Sequence, residues 1–135
     1  MGQTEFELGS AEFEVLRVLW EHGPITVRQV LNHLHERSRR VAYTTVLTML
    51  TRLEQKGYVA SDKSDVAYVY RAAVTRDLVT RSKARKLVDQ LYDGAAGALV
   101  LHLVRNERLS ADEITELQTL IERLDERGRK NRKTF

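Results

Sequence analysis

Apolar positions change their period twice along the chain. After Ser10, the residues Phe13, Leu16, Val18, Leu19 and Trp20 follow one another at helical spacing. Ser10 is a suitable cap. The segment His22-Gly23-Pro24 stops the run, because Gly admits unusual dihedrals and Pro restricts the residue before it. This predicts a first helix over about 10–21. Thr26 is a good cap for a second, in which Val27, Val30, Leu31 and Leu34 form an amphipathic stripe. That helix fades in the run Arg37-Ser38-Arg39-Arg40. A third is predicted from about Ala42 to Lys56, with Val46, Met49, Leu50 and Leu53 inward and Gly57 where a left-handed C-cap belongs.

After Gly57 the helical period gives way to β-formers. Tyr58-Val59-Ala60 and Ala67-Tyr68-Val69-Tyr70-Arg71 flank the polar segment Ser61-Asp62-Lys63-Ser64-Asp65, the pattern of a β-hairpin. Helical spacing returns over about 75–92, 95–105 and 110–127, and Ser110 with Glu113 has capping-box spacing. The fold class read from this order is mainly α with a small β-hairpin. It is a winged helix-turn-helix over residues 8–74, a helical dimerisation region over 75–127, and a basic flexible tail over 128–135.

The third helix carries the candidate chemistry. Spacing its residues 100° apart puts Thr44, Thr48, Thr51, Arg52 and Gln55 on the side away from the apolar stripe, with Thr45 at the margin. That side has hydroxyls, an amide and a guanidinium, and no acid; Glu54 lies beside the apolar boundary. A DNA major groove suits such a surface, since Thr donates, accepts or touches a thymine methyl and Arg pairs with guanine or phosphate. Thr is a mediocre helix former, so a Thr-rich outer face is a poor choice for solubility alone. Arg39 and Arg40 precede this helix, and Thr26 and Arg28 open the second; all four are placed for phosphate contact, as is Lys63 in the hairpin. Tyr43 either packs against sugar or fills the seam between the second and third helices.

Charge supports this face. Residues 1–36 carry Arg17 and Arg28 against Glu5, Glu7, Glu12, Glu14, Glu21 and Glu36. Residues 37–71 carry Arg37, Arg39, Arg40, Arg52, Lys56, Lys63 and Arg71 against Glu54, Asp62 and Asp65, so a basic middle follows an acidic front. The run 127–133 is also basic, and is either a frayed end or a DNA-binding arm. The chain has no cysteine, which excludes disulfides, thiolate metal sites and a cysteine nucleophile. His33 and His35 lie about 200° apart on a helix and cannot share an ion, and His22 and His102 look isolated. No nucleophile-elbow, phosphate-loop or HExxH motif occurs. The expectation is therefore a non-enzyme without metal or cofactor. No apolar run approaches the roughly 20 residues that span a bilayer, so a cytoplasmic protein without membrane insertion is expected.

The last helices carry Leu99, Val100, Leu103 and Val104, then Ile114, Leu117, Leu120, Ile121 and Leu124. So small a module cannot cover these stripes itself. A second copy would, and a palindromic site needs two copies; an intrachain three-helix cap is the other solution. Leu99, Leu103, Ile114, Leu117, Leu120, Ile121 and Leu124 are the candidate dimer residues.

In combination these segments resemble the penicillinase-repressor family, the BlaI/MecI type. Leu19-Trp20-Glu21-His22-Gly23-Pro24-Ile25-Thr26-Val27 resembles its opening. Ala42-Tyr43-Thr44-Thr45-Val46 with Leu50, Arg52-Leu53 and Lys56-Gly57 resembles its recognition helix, and Ala67-Tyr68-Val69-Tyr70-Arg71 its second wing strand. Ala98-Leu99-Val100-Leu101, Leu109-Ser110 and Asp112-Glu113-Ile114 with Leu117 resemble its dimerisation region. The likeness covers about residues 8–124.

The resemblance implies a homodimeric repressor of resistance or stress genes that occupies a palindromic operator in double-stranded DNA. It also implies a membrane sensor-protease pathway that cuts the repressor between Asn and Phe; the matching positions here are His102 and Leu103. Ser64, Asp65 and Val66 stand where the family often has Gly and Arg near the wing tip, and Ala72 replaces its Pro after the wing. Two rival functions remain at this level: a ligand-sensing winged-helix regulator, and a helical protein-interaction module without DNA binding.

Overall fold

The structure is a computed structural model that describes residues 8–133, with side chains described for residues 8–130. The order of elements is α1 (Ser10–His22), β1 (Ile25–Thr26), α2 (Val27–Glu36), α3 (Tyr43–Gln55), β2 (Val59–Asp62), β3 (Val69–Ala72), α4 (Arg76–Tyr92), α5 (Ala96–Asn106) and α6 (Ala111–Lys133). The chain divides into two compact units after Leu87.

The core of the first unit is built from one face of each of three helices. Val15, Leu16, Val18 and Leu19 of α1, Val30, Leu31 and Leu34 of α2, and Val46, Met49, Leu50 and Leu53 of α3 are buried together. Phe13 and Trp20 pack at the margin, edge to face at 5.7 Å, while Val15, outside the expected stripe, is fully buried. Gly9 rather than Ser10 is the N-cap of α1, because the Glu12 carboxylate accepts from the Gly9 N–H at 3.1 Å. Thr26 caps α2 as expected. Its hydroxyl accepts from the Gln29 N–H at 3.2 Å, and the Gln29 side chain accepts from the Thr26 N–H at 2.9 Å. At the end of α3, Gly57 has φ +88°, the Gly57 N–H donates to Glu54 O and the Tyr58 N–H donates to Leu53 O. That is the left-handed helix stop expected there.

The sheet differs from the expected hairpin in two respects. It has a third strand, β1, in the order β1-β3-β2, with Ile25 opposite Tyr70 and Thr26 opposite Val69. Two residues are too few to show a strand period. The hairpin is also displaced: the Tyr58 N–H is given to Leu53 O in the α3 stop while its carbonyl accepts from the Ala73 N–H, and the paired strands run from Val59 opposite Ala72 to Asp62 opposite Val69. Ala67 and Tyr68 therefore fall in the wing loop.

The first unit extends past residue 74 because Val79 of α4 joins its core and the Trp20 indole N–H donates to Val74 O at 2.9 Å. Thr75 opens α4 by accepting from the Leu78 N–H. The second unit holds α5 and α6. The Ser110–Glu113 capping box expected at the start of α6 is present in both directions. α6 continues to Lys133, past the expected end at 127, with Arg129 bonded to Asp125 one turn back. Among the described residues beyond Leu87, Val88 is the one buried apolar side chain. Residues 134 and 135 of the expected tail lie outside the described residues.

Candidate nucleic-acid interface

α3 has two chemically distinct sides. Val46, Leu50 and Leu53 are fully buried, and Thr44, Thr45, Leu47, Thr48, Thr51, Arg52 and Gln55 are exposed. No acid lies on the exposed side. Glu54 is turned to the sheet, where it accepts from the Ser61 hydroxyl at 2.7 Å. α3 follows Ala42, which offers no capping side chain but accepts from the Thr45 N–H at 3.0 Å, and its start carries the positive end of the helix dipole. Such an end suits a phosphate.

Of the residues expected beside α3, Arg28 of α2 is in contact with it. The Arg28 guanidinium lies 4.9 Å from the centroid of the Tyr43 ring, which joins the starts of α2 and α3 on one surface. Tyr43 is 41% exposed. Arg40 is exposed. Arg39 is held by Glu14 at 3.0 Å. The Thr26 hydroxyl is engaged in the α2 cap. Lys63 lies in the wing with its ammonium 5.7 Å from the Tyr68 ring centroid. Asp62 beside it accepts from Ser64, and these hydrogen bonds hold its carboxyl below the ordinary range. Val66 projects from the wing loop, 99% exposed. Beneath the wing, burial followed by the nearby Glu54 charge raises the Tyr70 phenol above its ordinary value.

Three pairings spend part of the basic middle inside the fold. Arg37 pairs with Glu21, Arg39 with Glu14, and Lys56 with Glu12 at 3.1 Å. The acidic front therefore anchors the turn and the end of α3 to α1. Of the seven basic residues in 37–71, Arg40, Arg52, Lys63 and Arg71 form no ion pair among the described residues.

Sequence reasoning did not single out Leu47, which is 38% exposed among the threonines of α3. The helical wheel was the available signal, since it puts Leu47 within about 60° of both Thr44 and Thr51. It also treated His22 as isolated, whereas its ring stacks on that of His33 at 3.6 Å; the two lie on different helices. Among the described residues no cluster of three metal-ligating side chains occurs, and no helix is long and apolar enough to cross a membrane.

In the second unit, Leu99 and Leu117 are half-buried, and Leu103, Ile114, Leu120, Ile121 and Leu124 are exposed. His102 and Leu103 lie inside α5, where Asn106 donates to the His102 carbonyl at 2.9 Å. The bond between them is helical as expected. Leu103 is exposed within the single chain, as are Val100 and Val104 beside it.

A helix-turn-helix with a hydroxyl-rich, acid-free outer face and a three-stranded wing defines a winged-helix DNA-binding protein. The penicillinase repressor family model matches residues 8–123, and the chain belongs to that family, one of transcriptional repressors rather than enzymes. It is 39% identical to the transcriptional regulator BlaI of Mycobacterium tuberculosis over 127 residues, covering 93% of this chain and 89% of that one. It is 31% identical to the penicillinase repressor of Bacillus licheniformis over 116 residues, covering 86% and 90%. A solved structure of the monomeric form of Bacillus licheniformis BlaI in complex with the blaP half-operator is 31% identical. It covers 53% of this chain and 85% of that one, with a TM-score of 0.45.

Proposed function

We propose that this chain is a cytoplasmic repressor that binds a palindromic operator as a homodimer and controls resistance or stress genes. The acid-free outer face of α3 carries the reading. Thr44, Thr45, Thr48 and Arg52 read base edges in the major groove. Thr26, Arg28, Arg40 and Tyr43 meet the backbone beside it, and Lys63 does so from the wing. Arg39 reaches a phosphate by leaving or sharing Glu14. The dimer is built from Leu99, Leu103, Ile114, Leu117, Leu120, Ile121 and Leu124. The support for this is an apolar surface in the second unit that is left largely uncovered within one chain.

Selection of duplexes from a randomised pool by the full chain tests the proposal. Enriched sequences should contain two inverted half-sites, and log affinity should fall linearly with log salt as phosphate contacts release counterions. Enrichment of no sequence would overturn it. A ligand-sensing form of the same function has one specific support, an apolar recess of about 150 Å³ lined by Leu8, Lys56, Gly57, Tyr58, Val79 and Lys83, at the end of α3.

A further inference from the structure

Leu47 lies at one margin of the exposed side of α3, 38% exposed, and takes no part in the core, although it is a leucine. At 100° per residue its neighbours on that surface are Thr44, about 60° away, and Thr51, about 40° away, with Thr48 further round beside Thr44. Two of these threonines have already used their hydroxyl protons. Thr48 Oγ1 donates to Thr44 O at 2.9 Å, and Thr51 Oγ1 donates to Leu47 O at 2.9 Å. Each has one hydroxyl proton, so while these bonds hold, each offers a groove an acceptor oxygen and a methyl group, but no donor. This edge of the surface is thus more apolar than its composition implies: a leucine beside Thr51, with Thr48 further round, and both threonines turned back on their own backbone.

On the major-groove edge of unmodified DNA, the apolar group is the 5-methyl of thymine; every other feature there is a donor or an acceptor. A leucine set against an amine or a carbonyl would strip water from it and return no hydrogen bond. We infer that Leu47, with the methyl groups of Thr48 and Thr51, is a specificity-determining element that reads thymine methyl groups in each operator half-site, while Arg52 supplies the polar reading beside it. This rests on the proposal that α3 enters the major groove, and it adds which base chemistry the patch selects.

Deoxyuridine differs from thymidine at this edge only by the methyl group, which makes it the probe. The best duplex from a randomised pool, selected with the full chain, is remade with deoxyuridine replacing one thymidine at a time. At one or two positions per half-site, loss of the methyl should weaken binding about fourfold, the effect of removing roughly one buried carbon from apolar contact. Leu47→Ala alters an exposed helix position and improves helix propensity, so the fold is retained. In that variant the thymidine-to-deoxyuridine ratio at those positions should fall to within about twofold of unity. If the wild-type chain binds its selected duplex and tolerates deoxyuridine at every position, the methyl reading is overturned while DNA recognition by α3 stands. A methyl preference that is unchanged in Leu47→Ala would overturn the role of Leu47. If the chain enriches no duplex, this inference and the function beneath it both fail.

Discussion

Thr26 shows how one residue can tie two elements of the fold together. Its hydroxyl closes the capping box that starts α2, and its backbone pairs with Val69 in the sheet. It therefore fixes where Arg28 leaves the helix and meets Tyr43. Thr26→Ala should cost about 1 kcal/mol of stability in urea denaturation, whereas Thr26→Ser, which keeps the oxygen, should cost a few tenths. Equal losses for the two would contradict the capping role. At this scale the sequence was legible where chemistry is local: the Thr26 cap, the Ser110–Glu113 box and the Gly57 stop all follow from neighbours within a few residues. The ion pair of Lys56 with Glu12 was not, since the partners are 44 residues apart and only the fold brings them together. Leu47 was passed over for a different reason: on the wheel it falls between the two sides, about 60° from Leu50 and about 60° from Thr44.

The elements follow the hydrophobic period closely where they are long. Among the described residues the helices appear where the stripes put them, with α6 running on past 127 to Lys133, whereas β1, two residues long, left no period to read. At the start of the hairpin Tyr58 serves both elements, its N–H closing α3 and its carbonyl accepting from the Ala73 N–H. Gly57 is the hinge of that junction. At φ +88° it adopts a conformation that costs an L-residue about 1–2 kcal/mol, although no atom within 4 Å would obstruct a Cβ. Gly57→Ala should therefore destabilise the first unit by about that amount, measured by thermal or urea unfolding. A neutral result would show that α3 ends with enough freedom to relax. In the first unit, α3 is then held from its two ends, by Arg28 over Tyr43 at its start and by the Gly57 stop and the Lys56–Glu12 pair at its end.

On the scale of the whole molecule, the two units have opposite deficits. The first has a closed core and an exposed polar face on α3; the second has leucines and isoleucines without cover. The account assigns DNA to the first and a second copy of the chain to the other. Replacing Leu103 and Leu120 together with glutamate should give a monomer by sedimentation at micromolar concentration. The monomer should keep its affinity for a single half-site and bind a two-half-site duplex at least tenfold more weakly, because one linked contact is lost. A wild-type chain that is itself monomeric at that concentration would contradict the assignment. The most direct measurement of all is the affinity of the full chain and of Arg52→Ala for the selected operator, made with matched circular dichroism of the two proteins. Arg52 is exposed on the acid-free side of α3 and forms no ion pair among the described residues. Its loss should weaken operator binding by about 1–3 kcal/mol with the fold intact; unchanged affinity in a folded variant would contradict the claim that α3 reads DNA.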